Sequence, residues 1–258
     1  GFGELSRELF RMGFPLSVVT NGTVLEKPSA EVLRECFREI FVSLDGYGVS
    51  HDAIRGPGVF EKIKRNLTRL EGHRGKLIFL TTISDQNVGT IADLPYYLAE
   101  LRPDRIVLQP LIYLSGEEIV RMPDWMDGNA LRFWRRDEAS GYETFFRTAL
   151  REVKKRHYPV EVVVTSHRSS GICERPWNSL HISPDGEGRF CTDFEGFSAG
   201  NIFRDGWEKV FHSAEAEHFR QNVKEGLFPA CTHCPWRSQG ETPAVEISGE
   251  VIQKQEKS

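Results

Sequence analysis

Over its first 158 residues the chain alternates between continuous apolar runs and segments with helical spacing. That alternation restricts it to a parallel sheet covered by helices. The apolar runs are "PLSVVTNG", "IFVSLDG", "KLIFLTTIS" and "RIVLQPLIYL". Between them, "ELSRELFRMG" places Leu5, Leu9 and Met12 on one helical face. "SAEVLRECFREI" spaces Leu33, Cys36, Phe37 and Ile40 helically, with Ser29 placed to cap and Glu31 in the first turn. "GVFEKIKRNLTRLEG" repeats the spacing through Phe60, Ile63, Leu67 and Leu70, and "IADLPYYLAELRP" reads as a further helix. Each strand closes on polar residues: "TNG", "SLDG", "TTISDQN" and "LQP". In folds of this kind ligands bind beyond the carboxyl ends of the strands, so four polar tips in succession point to a shared site there.

The pattern then changes. A long amphipathic helix is expected within "GNALRFWRRDEASGYETFFRTALREVKKRHY", followed by a strand in "PVEVVVTSH". "NSLHISPDGEGRFCTDF" alternates on both sides of Asp185-Gly186, a strong hairpin signal. A helix over roughly 207–223 leads to "LFPACTHCPW", and a polar tail follows. The expected organisation is an α/β domain over 1–158, a small hairpin-plus-helix domain over 159–237, and a loose tail over 238–258. The opening "GFGELSRELF" reads as a strand-to-helix loop with no strand before it.

A net charge of −4 gives no electrostatic case for nucleic acid. No apolar run approaches the ~20 residues that span a bilayer, and no signal-peptide pattern opens the chain. A soluble protein of the cytoplasm is expected, with no membrane partner. In that reducing compartment the five cysteines are metal ligands, catalytic groups or buried hydrophobes rather than disulfides. Cys36 lies on an apolar helix face and reads as core. Cys173 stands just before the hairpin, Cys191 on its second strand, and Cys231 and Cys234 form a CxxC after the last helix. Four such thiolates suit a tetrahedral Zn²⁺ or a [4Fe–4S] cluster, and spacing does not choose between them. His233, inside the CxxC, is expected to point away from a metal.

Cys173, Gly186 and Cys191 followed by a CxxC resemble the twitch domain of radical S-adenosylmethionine (SAM) enzymes, a shortened SPASM domain holding an auxiliary [4Fe–4S] cluster. No cysteine follows Cys234, so the resemblance implies one auxiliary cluster. The first half is similar to the same superfamily. "GFGE" resembles its glycine-rich GGE-type motif, "GFPLSVVTNGTVL" its third strand, and "FVSLDGYGVSHDAIRGPGVFEKIKRNL" a fourth strand and loop. The resemblance implies a partial (β/α) barrel of the radical SAM type, N-terminally incomplete, followed by the twitch domain. It places Gly3 and Glu4 beside the SAM amino group and makes Ser43 and Arg55 candidates for its carboxylate. Thr20, Asn21, Asp45, Thr82 and Gln109 would face SAM or substrate. Local alternatives are a turn role for Asn21 and a surface ion pair from Arg55 to Asp52 or Asp45.

One departure is large: the 258 residues contain no CxxxCxxC, the motif that holds the SAM-cleaving cluster. A truncated N-terminus is the preferred expectation, ahead of a separate N-terminal segment or a lost activity. The complete enzyme implied is an oxidoreductase or maturase that cleaves SAM and abstracts hydrogen from a small-molecule or peptide substrate. An external electron donor would serve it, and the auxiliary cluster would accept an electron. Alternatives are a catalytically inactive radical SAM-like binding protein and a structural zinc module. Glu117 and Glu118 are expected to be solvated, with contact to basic substrate groups as the alternative.

Overall fold

The structure is a computed structural model and describes residues 1–122, 134–135, 139–165, 173–192, 194, 196–226, 228–234 and 250–252. It divides into two compact units, one of Gly1–Leu111, Gly141–Ser166 and Gly249–Ser258, the other of Ile112–Ser140 and His167–Ser248. In chain order the first unit contains α1 (Phe2–Arg11), β1 (Leu16–Thr20), α2 (Lys27–Cys36), β2 (Phe37–Ser43), α3 (Val49–Arg55), α4 (Val59–Leu67), β3 (Lys76–Ile83), α5 (Leu94–Ala99) and β4 (Arg105–Pro110). The chain enters the second unit through β5 (Tyr113–Leu114), α6 (Gly116–Val120) and β6 (Trp134–Arg135). It returns to the first with α7 (Ala139–Lys154) and β7 (Glu161–Val164). The second unit is then completed by α8 (Arg175–Asn178), β8 (His181–Ile182), β9 (Gly188–Arg189), α9 (Ile202–Asp205), α10 (Trp207–Phe211), α11 (Ala214–Glu225) and α12 (Pro229–Thr232), and β10 (Glu250–Ile252) lies in the first.

The main sheet has the order β1-β2-β3-β4-β7-β10 and is parallel from β1 to β7; β10 pairs antiparallel with β7. The expected α/β class with a parallel sheet is therefore present. Its register separates two faces, because paired residues share a face and side chains alternate along each strand. One face carries Ile40, Val42, Phe79, Thr81, Ile83, Ile106 and Leu108, all fully buried. The other has a buried belt of Phe41, Ile78, Leu80, Val107 and Val163, and ends at Ser43, Thr82 and Gln109, which are partly exposed.

Several boundaries differ from the sequence expectation. α2 ends at Cys36, and Phe37 and Ile40 belong to β2, because pairing on both sides fixes Phe37–Ser43 as a central strand. Glu26, not Ser29, is the N-cap of α2; Pro28 occupies its first turn, where a fixed φ and a missing N–H are tolerated. "GFGE" is not a loop, since α1 begins at Phe2. β7 extends the sheet through Arg105↔Glu161 to Leu108↔Val164, so the first unit runs past residue 158. The helix expected over 207–223 is two helices, with the Ser213 hydroxyl accepting the Ala216 N–H at 3.0 Å to start α11. Of the tail, Glu250–Ile252 are described, and they are paired rather than loose.

The second unit is built on a phenylalanine cluster. Phe190, Phe194, Phe197, Phe219 and Phe228 are buried together with Leu114, Met122 and Val210. The hairpin β8–β9 is antiparallel around Gly186, whose φ of +91° suits a residue without Cβ.

Candidate functional site

The strand-end rim of the first unit is organised by Asp45, which follows β2 and is 2% exposed. All its polar groups are used. Its N–H donates to His51 Nδ1 at 3.2 Å, and its carbonyl accepts from Asn87 Nδ2 at 2.9 Å. Its Oδ1 accepts the Thr82 N–H at 2.8 Å, and its Oδ2 pairs with Arg55 Nε. A buried carboxylate is costly unless paired and hydrogen-bonded, and these contacts meet that condition. Gly46 lets the chain turn here, since a Cβ would lie 2.6 Å from the His51 backbone nitrogen. Asp52 anchors the next element by accepting the Gly58 and Phe60 N–H groups at 2.7 and 2.8 Å at the start of α4.

Asp45 engages Arg55 through Nε, leaving the two terminal guanidinium nitrogens without a hydrogen bond among the described residues. That fork is the donor geometry that suits a carboxylate. Two further orphans stand in the same region: His51 Nε2 and Gln109 Oε1 are buried with no partner among the described residues. Because His51 Nδ1 accepts the Asp45 N–H, the neutral ring carries its proton on Nε2. Burial lowers the His51 pKa, opposed by the nearby Asp45 carboxylate. Gln109 Nε2 donates to Thr82 Oγ1 at 3.4 Å.

Ser43, Thr82 and Gln109 therefore end one sheet face, with Asp45 and Arg55 adjoining Thr82. Asn21 follows β1, but its Oδ1 is taken up by a local turn, accepting from Thr23 N–H at 3.0 Å and Thr23 Oγ1 at 2.8 Å. Gly3 and Glu4 lie in the first turn of α1. Phe2 stacks on Phe37, the first residue of β2, at a centroid separation of 5.9 Å. Gly3 seats against Val32 of α2, and the Glu4 side chain is 89% exposed. α1 packs on α2. Sequence reasoning missed His51 and Asn87. The six-residue step from Asp45 to His51 was a usable signal, because it returns the chain through a tight turn to the start of a helix.

The second unit carries Cys173, Cys191, Cys231 and Cys234, all partly exposed and none in a disulfide; Cys36 is buried in α2. Cys191 and Cys231 both pack against the phenylalanine cluster. The Cys234 N–H donates to the Cys231 carbonyl at 3.2 Å, which folds the CxxC into one turn at the end of α12. His233 turns to Glu118, with Nε2 2.7 Å from Oε1. Glu118 also accepts the Ser115 N–H at 2.8 Å in the capping box of α6, so it is engaged rather than solvated. Burial raises the Glu118 pKa, but the bonds from His233 and Ser115 outweigh it and hold the group below its ordinary value. Among the described residues no three His, Cys, Asp or Glu side chains stand close enough to share one ion. The donor set suits a thiolate-held metal group; the side chains are not gathered into one shell.

Residues 173–235 match the family model of the SPASM iron–sulfur cluster-binding domain. The match begins at Cys173 and takes in all four cysteines of the unit. Over 232 residues the chain is 25% identical to the antilisterial bacteriocin subtilosin biosynthesis protein AlbA of Bacillus subtilis (strain 168), covering 85% of this chain and 49% of AlbA. Among solved structures, Streptococcus suis SuiB bound to precursor peptide SuiA superposes with a TM-score of 0.60 at 12% identity, covering 92% of this chain and 57% of SuiB. Native anSMEcpe with bound AdoMet gives a TM-score of 0.58 at 16% identity, covering 95% and 72%. At such identities the structural likeness is one of fold. The chain spans about half the length of AlbA and of SuiB. No helix among the described residues is long and apolar enough to cross a membrane.

Proposed function

We propose, for a chain that joins a radical SAM-type α/β sheet to a SPASM iron–sulfur domain, that it is the SAM-binding and auxiliary-cluster portion of a peptide-modifying enzyme. The observation that carries the reading is the SPASM match, which brackets Cys173, Cys191, Cys231 and Cys234 and leaves out Cys36. These four thiolates would hold the auxiliary cluster, which supplies one-electron transfer when bound. At the strand ends, Asp45 fixes Arg55 by its Nε so that the free edge of the guanidinium meets the SAM carboxylate. Ser43 and Gln109 end the same face, and the unpaired Gln109 Oε1 offers an acceptor to a ligand amine or hydroxyl. Asn21 contributes shape to the rim through its turn. A peptide substrate is favoured over a small molecule by the fold shared with SuiB, which is seen bound to its precursor peptide.

The 258 residues contain no CxxxCxxC, so they hold no ligands for a SAM-cleaving cluster and no cleavage step is assigned to them. The test is anaerobic reconstitution of the chain followed by iron, sulfide and zinc analysis. Four irons per chain, lost in Cys231→Ala and kept in Cys36→Ala, support the reading. One zinc and no iron would replace it with a structural zinc module.

A further inference from the structure

We propose that Arg220 is a positioning residue of the thiolate site, a buried cation that clamps the cysteine-bearing segments together and sets their electrostatic environment. The inference rests on the four-thiolate iron–sulfur reading above. Arg220 lies on α11 and is 5% exposed. Its Nε donates to the Pro176 carbonyl at 2.8 Å, on the short helix α8 that follows Cys173. Its Nη2 donates to the Phe211 carbonyl at 2.7 Å, at the end of α10. The guanidinium carbon stands 4.9 Å from the Phe190 ring centroid and 4.5 Å from that of Phe211. Phe190 immediately precedes Cys191, and α11 itself leads to the CxxC. One side chain thus touches the segment after Cys173 and the neighbour of Cys191, from the helix before Cys231 and Cys234.

The charge of Arg220 is poorly answered by the protein. Its ion-pair partner among the described residues is Glu217, with Nη1 and Oε2 3.9 Å apart, and that glutamate side chain is 65% exposed. Ring faces and carbonyls stabilise a guanidinium but do not neutralise it, and a buried cation without a buried anion is expensive. Burial also lowers the Arg220 pKa. Near the hairpin, His181 Nε2 and Arg189 Nε are also buried without a hydrogen-bond partner among the described residues. His181 and Arg189 are direct cross-strand partners, one residue before Phe190 in the case of Arg189. Four thiolates around an iron–sulfur core carry net negative charge, which is the counter-charge that the buried Arg220 lacks. Net charge and nearby donors are among the features that set the potential of such a group.

The experiment uses the full chain, reconstituted anaerobically, with iron analysis and an EPR-monitored redox titration. Arg220→Gln removes the charge; the expected result is unchanged iron content with a lower reduction potential, because the more negative reduced form loses a stabilising cation. An unchanged potential at full iron content overturns the proposal. Arg220→Lys keeps the charge but cannot reproduce the planar double clamp. It should hold the wild-type potential and release iron to a chelator severalfold faster. Release at the wild-type rate overturns the clamp and decides the matter if Arg220→Gln does not fold. Wild-type chain that takes up zinc and no iron instead removes the iron–sulfur reading, and this proposal with it.

Discussion

His233, the residue between no others than Thr232 and Cys234 in the CxxC turn, points its Nε2 to Glu118 Oε1 at 2.7 Å across 115 positions of sequence. Because the same glutamate closes the capping box of α6, the conformation of the CxxC turn is tied to a helix start contributed by a distant segment. Glu118→Ala removes both bonds and leaves His233 half-buried without this partner. The expected loss is about 1–3 kcal/mol of stability. It is read from the urea midpoint at an unchanged m-value, and a midpoint equal to wild type would show the contact to be idle.

Asp45→Asn retains the size of the buried side chain but not its charge, so Arg55 loses the partner that aims it. SAM affinity should fall about tenfold, or about 1.4 kcal/mol. Arg55→Lys should do the same, since an ammonium cannot hold Asp45 by one nitrogen and present a planar fork with two others. Calorimetric titration of SAM into each variant measures the change, and wild-type affinity in Arg55→Lys would remove Arg55 from the carboxylate site.

His51 gives a pH dependence with a defined sign. Burial holds its folded pKa below the ordinary 6.5, so above that value the ring is neutral in both folded and unfolded chains and contributes no slope. As pH falls through 6.5 the unfolded chain takes up a proton that the folded chain refuses, and stability declines by up to about 1.4 kcal/mol per pH unit. The decline flattens once pH passes below the folded pKa. Subtracting His51→Gln from wild type in urea unfolding at pH 8, 6.5 and 5 isolates this contribution. Equal differences at all three would exclude it.

Gly22 has a φ of +69°, and a Cβ there would stand 3.0 Å from Val42 Cγ1 and 3.3 Å from Ile63 Cγ2. Gly22→Ala combines left-handed backbone strain with a crowded core, and about 1–3 kcal/mol of destabilisation is expected. Thermal unfolding checks it; an unshifted midpoint would mean the turn relaxes freely.

The sheet was legible because apolar runs and helical spacing are local properties, and β2, β3, β4 and β7 lie where those runs fall. The α2–β2 boundary was not, because Phe37 and Ile40 satisfy the helical period equally well and strand pairing on both sides decides the outcome. Ser43, Thr82 and Gln109 were readable as polar strand tips, and the register puts them on one face. The turn role of Asn21 was visible as the alternative that local chemistry favours. Motif likeness read Gly3 and Glu4 as part of a loop, whereas they open α1, which packs on α2. The roles of Asn87, Glu118 and Arg220 depend on contacts between residues 42 to 115 positions apart, which no local pattern encodes.

The register of the sheet also gives the strand-end rim a length. Ser43 aligns with Leu80 and Val107, while Thr82 aligns with Gln109, so the rim climbs by two residues between β2 and β4. Two inter-strand steps span about 10 Å and two residues add about 7 Å, so Ser43 and Gln109 lie about 12 Å apart along the slope. A ligand that touches both must be an elongated molecule of nucleoside size or an extended segment of three to four residues. The rim is therefore a slope rather than a level edge.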